Sequence, residues 1–90
     1  MKQEVRLTLL SRAYCHLCDE MLDALRPLAA ATPVDVIDVD APEHAALEVA
    51  FGDAVPVLFA GAPRADREIC RYHLDAAKLA AALAESGGIR

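Results

Sequence analysis

Two cysteines separated by two residues, Cys15-His16-Leu17-Cys18, carry the chemistry most visible in this chain. Thiols at that spacing support either a reversible disulfide or metal ligation. Placed at the start of a helix, Cys15 meets unpaired backbone N–H groups and the positive end of the helix dipole, which together favour its thiolate. Thiolates in such surroundings have pKa values of roughly 3.5–7.5, against about 8.5 for a free cysteine. Arg12, three residues earlier, is expected to add positive charge. Cys18 lies one turn on and shares a stripe with Leu22 and Leu25, so it is expected to be the less exposed thiol. That asymmetry predicts roles: Cys15 attacks a substrate disulfide and Cys18 resolves the mixed disulfide.

The surrounding elements must deliver this geometry. Glu4–Ser11 alternates apolar and polar residues and then adds Leu10, which predicts a strand buried on both faces in its second half. Leu17, Met21, Leu25 and Leu28, with Cys18, Leu22 and Ala29, predict an amphipathic helix from Cys15 to about Ala30, kinked or shortened by Pro27. Val34–Asp40 reads as a second strand whose alternation slips at Val36-Ile37, by a bulge or by burial on both faces. Asp40 is expected to cap a short helix running to Phe51 and stopping at Gly52. Val55–Ala60 predicts a third strand with Pro56 near its start, and Arg67–Tyr72 a fourth, paired to the third as a hairpin. Asp75 is expected to cap a last helix bearing Leu79 and Leu83 and ending at Gly87-Gly88. The order βαβαββα implies an α/β fold in which a mixed four-stranded sheet is flanked by helices.

The chain resembles the glutaredoxins, and within them the small bacterial glutaredoxin-like proteins. The resemblance rests on Leu9–Glu20 with its Ser-basic-x-x-Cys-x-x-Cys pattern, on Val34–Asp40, on Ala54-Val55-Pro56-Val57-Leu58 and on Arg71–Asp75. It implies a thioredoxin-like fold, a cis Val55-Pro56 peptide beside the cysteines, and a thiol–disulfide oxidoreductase that reduces protein or small-molecule disulfides. It further implies a substrate-binding set of Arg12, Tyr14, Val55, Pro56 and Asp75, in which the Val55 backbone receives an extended substrate and Arg12 an anionic thiol. The implied partner is a disulfide-containing protein or a glutathione mixed disulfide. No tightly bound cofactor is expected, and glutathione is a candidate reductant. The family's glutathione binders carry a Gly-Gly and acidic pair before the last helix, where this chain has Arg71-Tyr72-His73-Leu74-Asp75.

Two other readings compete. Cys15, Cys18, Cys70 and His73 have the residue types of a Cys₃His zinc site. Alternatively, the domain binds a partner through the thioredoxin fold without turnover. Cys70 itself reads as a small buried hydrophobe. Composition narrows the classes further. At 90 residues the chain has room for a single domain, 1–90, and its 56% hydrophobic content excludes a mainly disordered one. A net charge of −5 disfavours nucleic acid and anionic membrane surfaces as partners. No apolar run approaches the ~20 residues of a membrane helix. With no targeting signal and an odd number of cysteines, the expectation is a cytoplasmic monomer.

Overall fold

A computed structural model describes residues 6–87 of the chain. Strand β1 (Leu7–Ser11) is followed by α1 (His16–Leu28), β2 (Val34–Asp38), α2 (Ala45–Phe51), β3 (Val57–Ala60), β4 (Glu68–Arg71) and α3 (Ala76–Gly87). Glu4 and Val5, expected at the start of β1, and Gly88, expected to end α3, lie outside the described residues. The sheet order is β2-β1-β3-β4, with β2 parallel to β1 and the other neighbours antiparallel. The α/β fold is therefore the mixed four-stranded sheet that the alternation of periods implies.

Burial follows from the layers. Leu7, Leu9, Leu58 and Cys70 point to one face, where Met21, Leu25 and Ala29 of α1 and Leu79 of α3 cover them. Leu10, Val57 and Phe59 point to the other face, against Val39 and the α2 side, where Phe51 meets Phe59 edge-on at 5.1 Å. Thr8 shares that second face as the buried polar residue of β1, and its hydroxyl donates to the Gly61 carbonyl at 2.6 Å. Burying a hydroxyl without such a partner costs about 1–3 kcal/mol.

Several boundaries differ from expectation for local reasons. Helix α1 ends at Leu28, because Pro27 offers no N–H to the carbonyl of Asp23 and the chain leaves the helix one residue later. The Ala29 N–H still reaches the Leu25 carbonyl, at 2.9 Å. The buried stripe of α1 is Cys18, Met21 and Leu25, continued by Ala29 just after the helix, whereas Leu28, expected on it, is 50% exposed. Strand β2 pairs with β1 residue for residue from Val34 to Asp38 without a bulge. The slip at Val36-Ile37 reflects an edge strand covered unevenly on both faces. Asp40 caps nothing: Pro42–His44 form a 3₁₀ turn whose N-cap is Ala41, and the Asp40 N–H instead donates to Asp38 Oδ1 at 2.9 Å. Asp75 does cap α3, accepting from the Lys78 N–H at 3.0 Å.

The α1 stripe is checked by truncating one side chain on it and one beside it. Leu25→Ala is expected to lower unfolding free energy by about 2–5 kcal/mol. Leu28→Ala should change it by about 0.5 kcal/mol or less. Urea denaturation of the two variants measures the difference directly.

Candidate functional site

The β1-α1 junction places the two cysteines. Strand β1 is buried to Leu10, and the chain turns through Tyr14 at a left-handed φ of 59° before entering the helix at Cys15. Cys15 is the N-cap of α1: its backbone is extended, its carbonyl accepts from the Asp19 N–H at 3.1 Å, and its Sγ accepts from the Cys18 N–H at 3.1 Å. A sulfur thus occupies the position that Ser or Asp oxygen takes in most helix caps. The cysteines form a disulfide with Cα atoms 5.2 Å apart. Cys18 is 1% exposed and Cys15 is half-buried, the asymmetry expected from the stripe. His16, between them, is exposed and its Nε2 lies 2.8 Å from Glu20 Oε2 one turn on.

The facing wall comes from β3 and β4. Because β1 and β3 are antiparallel with Leu10 opposite Val57, the residues just before β3 lie beside the loop just after β1. Those residues are Val55 and Pro56, joined by a cis peptide. Pro56 is buried, and Val55 is half-buried with extended backbone outside the strand ladder. The Pro56 carbonyl accepts from the Tyr72 N–H at 2.8 Å, which ties the end of β4 to the same place.

Arg12 is placed differently from the sequence expectation. Its Nη2 lies 3.4 Å from Asp40 Oδ1 and 3.5 Å from Glu48 Oε2, so its charge is drawn toward α2. A Cβ on Gly52 would fall 2.6 Å from Glu48 Oε2 and 3.2 Å from Arg12 Nη2, so glycine leaves this pair its space. The Arg12 Nε is enclosed, with no hydrogen-bond partner among the described residues. Tyr14 is fully exposed beside Cys15, and Asp75 is committed to capping α3. Sequence reasoning missed the carboxylates on Arg12, since Glu48 is 36 positions away and no local pattern links them. It also missed Tyr72 as a neighbour of Pro56, a contact that only the β3-β4 register creates.

Cys70 sits in the α1-α3 core with its thiol pushed up in pKa, first by burial, against which a hydrogen bond from the Asp75 backbone acts. The four residues of the zinc reading are not gathered. Among the described residues no three His, Cys, Asp or Glu side chains converge as a metal would require. The physical reason is the fold of β4, which turns Cys70 into the hydrophobic core.

Comparison with known proteins agrees with this geometry. Residues 6–84 match the glutaredoxin-like domain family. No match is found among curated proteins. Among solved structures, protein Ne2328 from Nitrosomonas europaea is 36% identical, covering 90% of this chain and 93% of its own, with a TM-score of 0.70. The X-ray structure of protein XcR50 from X. campestris is 37% identical over 88% of this chain and 96% of its own, with a TM-score of 0.64. Thioredoxin 1 from Thermosipho africanus, 21% identical over 90% of this chain and 97% of its own, has a TM-score of 0.58 and shares the fold. A thioredoxin-like sheet, a helix opened by a cysteine pair and a family match spanning nearly the whole chain agree: the protein belongs to the glutaredoxin-like domain family.

Proposed function

We propose that the chain is a thiol–disulfide oxidoreductase that reduces disulfides with the Cys15–Cys18 dithiol. The observation that carries the reading is the capping contact. Cys15 Sγ accepts the Cys18 N–H at 3.1 Å at the helix terminus, while Cys18 is 1% exposed. A backbone donor and the helix dipole favour sulfur as thiolate in the reduced state, and the thiolate is the attacking species.

The steps balance as follows. The Cys15 thiolate attacks one sulfur of the substrate disulfide, forming a mixed disulfide and expelling the first substrate half as a thiolate that takes up a proton. Cys18 gives up its proton and attacks Cys15 Sγ, so the mixed disulfide breaks and the second half leaves as a thiol. Two electrons and two protons pass to the substrate, and the protein is left with the Cys15–Cys18 disulfide. An external thiol or dithiol then reduces that bond; glutathione is one such reductant, and the reducing cytoplasm is a setting that supplies it. Val55 and Pro56 form the substrate-facing edge in this reading, and Tyr14 flanks the nucleophile. Arg12 acts less as an activator of Cys15 than the sequence implies, because two carboxylates already neutralise it. Among the described residues no helix is long and apolar enough to cross a membrane.

Cys15→Ser is expected to abolish reduction of small and peptide disulfides, a loss of about a thousandfold or more. Cys18→Ser should instead accumulate a mixed disulfide with substrate, seen as added mass by mass spectrometry. Alkylation of the reduced protein tests activation: the Cys15 rate should reach its plateau at lower pH than that of a free cysteine. Disulfide reduction surviving in Cys15→Ser would overturn the proposal.

Cys70 supplies a control within the same molecule. Its thiol is buried and pushed up, so little thiolate forms near neutral pH. Its alkylation in the folded, reduced protein is expected to be at least about tenfold slower than that of Cys15, and to become fast when urea unfolds the chain. Peptide mapping of the labelled sites measures both rates.

A further inference from the structure

Tyr14 and Tyr72 stand at the same end of the sheet, since β1 and β4 both run toward it and the start of β3 lies between them. Tyr14 precedes Cys15, and Tyr72 is bound through its N–H to the Pro56 carbonyl at 2.8 Å. Both have left-handed backbone, with φ of 59° and 68°. That conformation costs a residue with a Cβ on the order of 1–2 kcal/mol. Neither side chain recovers this by entering the core, for Tyr14 is fully exposed and Tyr72 is 43% exposed. Tyr72, with His73 and Leu74, instead lines a groove against Glu20, Met21 and Ala24 of α1, which begins just beyond Cys18.

The charges at this end are distributed unevenly. Arg12 is held between Asp40 and Glu48. Arg71 makes two bonds to Glu68, at 2.6 and 2.7 Å, and this contact holds the Glu68 carboxyl below the usual range, with Lys78 adding to the effect. These two arginines are thus answered by the protein's own carboxylates, while Asp19 on α1 makes no ion pair among the described residues. Glutathione, with two carboxylates against one ammonium, meets both of these arginines already paired, and Lys78, which stands in no ion pair among the described residues, lines a separate groove with Glu68, Cys70 and Arg71. A polypeptide with apolar and basic side chains finds two exposed aromatic side chains, the unpaired Asp19 carboxylate and the ring surface that a cation favours.

Building on the dithiol reading, we infer that Tyr72, together with Tyr14, forms an aromatic rim. This rim selects polypeptide disulfides with apolar and basic residues beside the half-cystine over oxidised glutathione. The exchange chemistry is that given above; the rim acts on substrate binding before it. Tyrosines of this kind carry a large share of contact energy at protein interfaces, where losing one lowers affinity by about tenfold.

The test compares the reduced protein on three disulfides: a synthetic peptide disulfide with Leu and Lys flanking its half-cystine, oxidised glutathione, and uncharged hydroxyethyl disulfide. The peptide is expected to exceed oxidised glutathione in kcat/KM by about tenfold or more. Tyr72→Gly suits the left-handed backbone and so preserves the fold. In that variant the ratio of peptide to hydroxyethyl disulfide should fall about tenfold, through KM, and Tyr72→Phe should restore most of it. Asp40→Asn with Glu48→Gln, which frees Arg12, should raise kcat/KM for oxidised glutathione by about threefold. Equal wild-type rates on peptide and oxidised glutathione would overturn the selectivity and leave the dithiol reading standing. So would a Tyr72→Gly variant that lowers the peptide and hydroxyethyl rates in step. A wild-type protein that reduces none of the three overturns both.

Discussion

The helix that follows a buried strand opens on one sulfur atom, and much of the molecule is arranged around that capping contact. Strand β1 is covered on both faces, so the chain leaving it has to turn sharply before a helix can fold back over Leu7 and Leu9. The helix that does so begins with donors that have no partner inside it. Cys15 Sγ accepts one of them. Because α1 must aim Met21 and Leu25 at the sheet, the residue one turn after the cap points inward as well, and that residue is Cys18. The exposure difference between the thiols is therefore a consequence of how α1 packs and needs no separate device.

That arrangement also decides which charges matter. The ion pairs near the site are largely solvent-facing, Arg12 with Asp40 and Glu48, and His16 with Glu20. Pairs of this kind contribute about 0–1 kcal/mol and weaken with salt. The N–H of Cys18 is fixed in direction by the helix and partly enclosed, so its effect on a sulfur anion persists where the surface pairs fade. On the proposed function, a chain of net charge −5 thus favours its attacking thiolate without a cation dedicated to it.

Most of the fold was legible before the structure, because apolar spacing changes period where the elements change. The i, i+3, i+4 stripe through Met21 and Leu25 reflects burial against one neighbour, the sheet, which local sequence records. The order βαβαββα with a CxxC at the first strand–helix junction then identified the cysteines and their unequal exposure. What escaped was set by distance along the chain. Asp40 looked like a cap because it precedes Pro42, yet the turn starts at Ala41 and the carboxylate faces Arg12. Leu28 matched the stripe by spacing, but Pro27 ends the helix around it and the chain leaves with Leu28 outward. The zinc grouping failed for the same reason: spacing placed Cys70 near His73 without saying that β4 turns Cys70 into the core.

The tyrosines show where stability and site architecture part company. At the far end of β3 the chain also needs a left-handed residue, and there it uses Gly61, with φ of 89° and open space where a Cβ would stand. No neighbouring residue stands in the way of a side chain at that position, and glycine takes it because its φ strains any residue with a Cβ. At the cysteine end the same backbone demand is met twice by tyrosine, the bulkier and costlier choice, with the Tyr14 side chain wholly in water and that of Tyr72 43% exposed. Core packing does not account for rings that lie outside the core. The backbone contact from the Tyr72 N–H to Pro56 would serve a glycine equally well, while the Tyr72 side chain adds a hydrogen bond with the neighbouring Arg71. What remains distinctive about these positions is their place on either side of Cys15 and Pro56, where an incoming chain would meet them first.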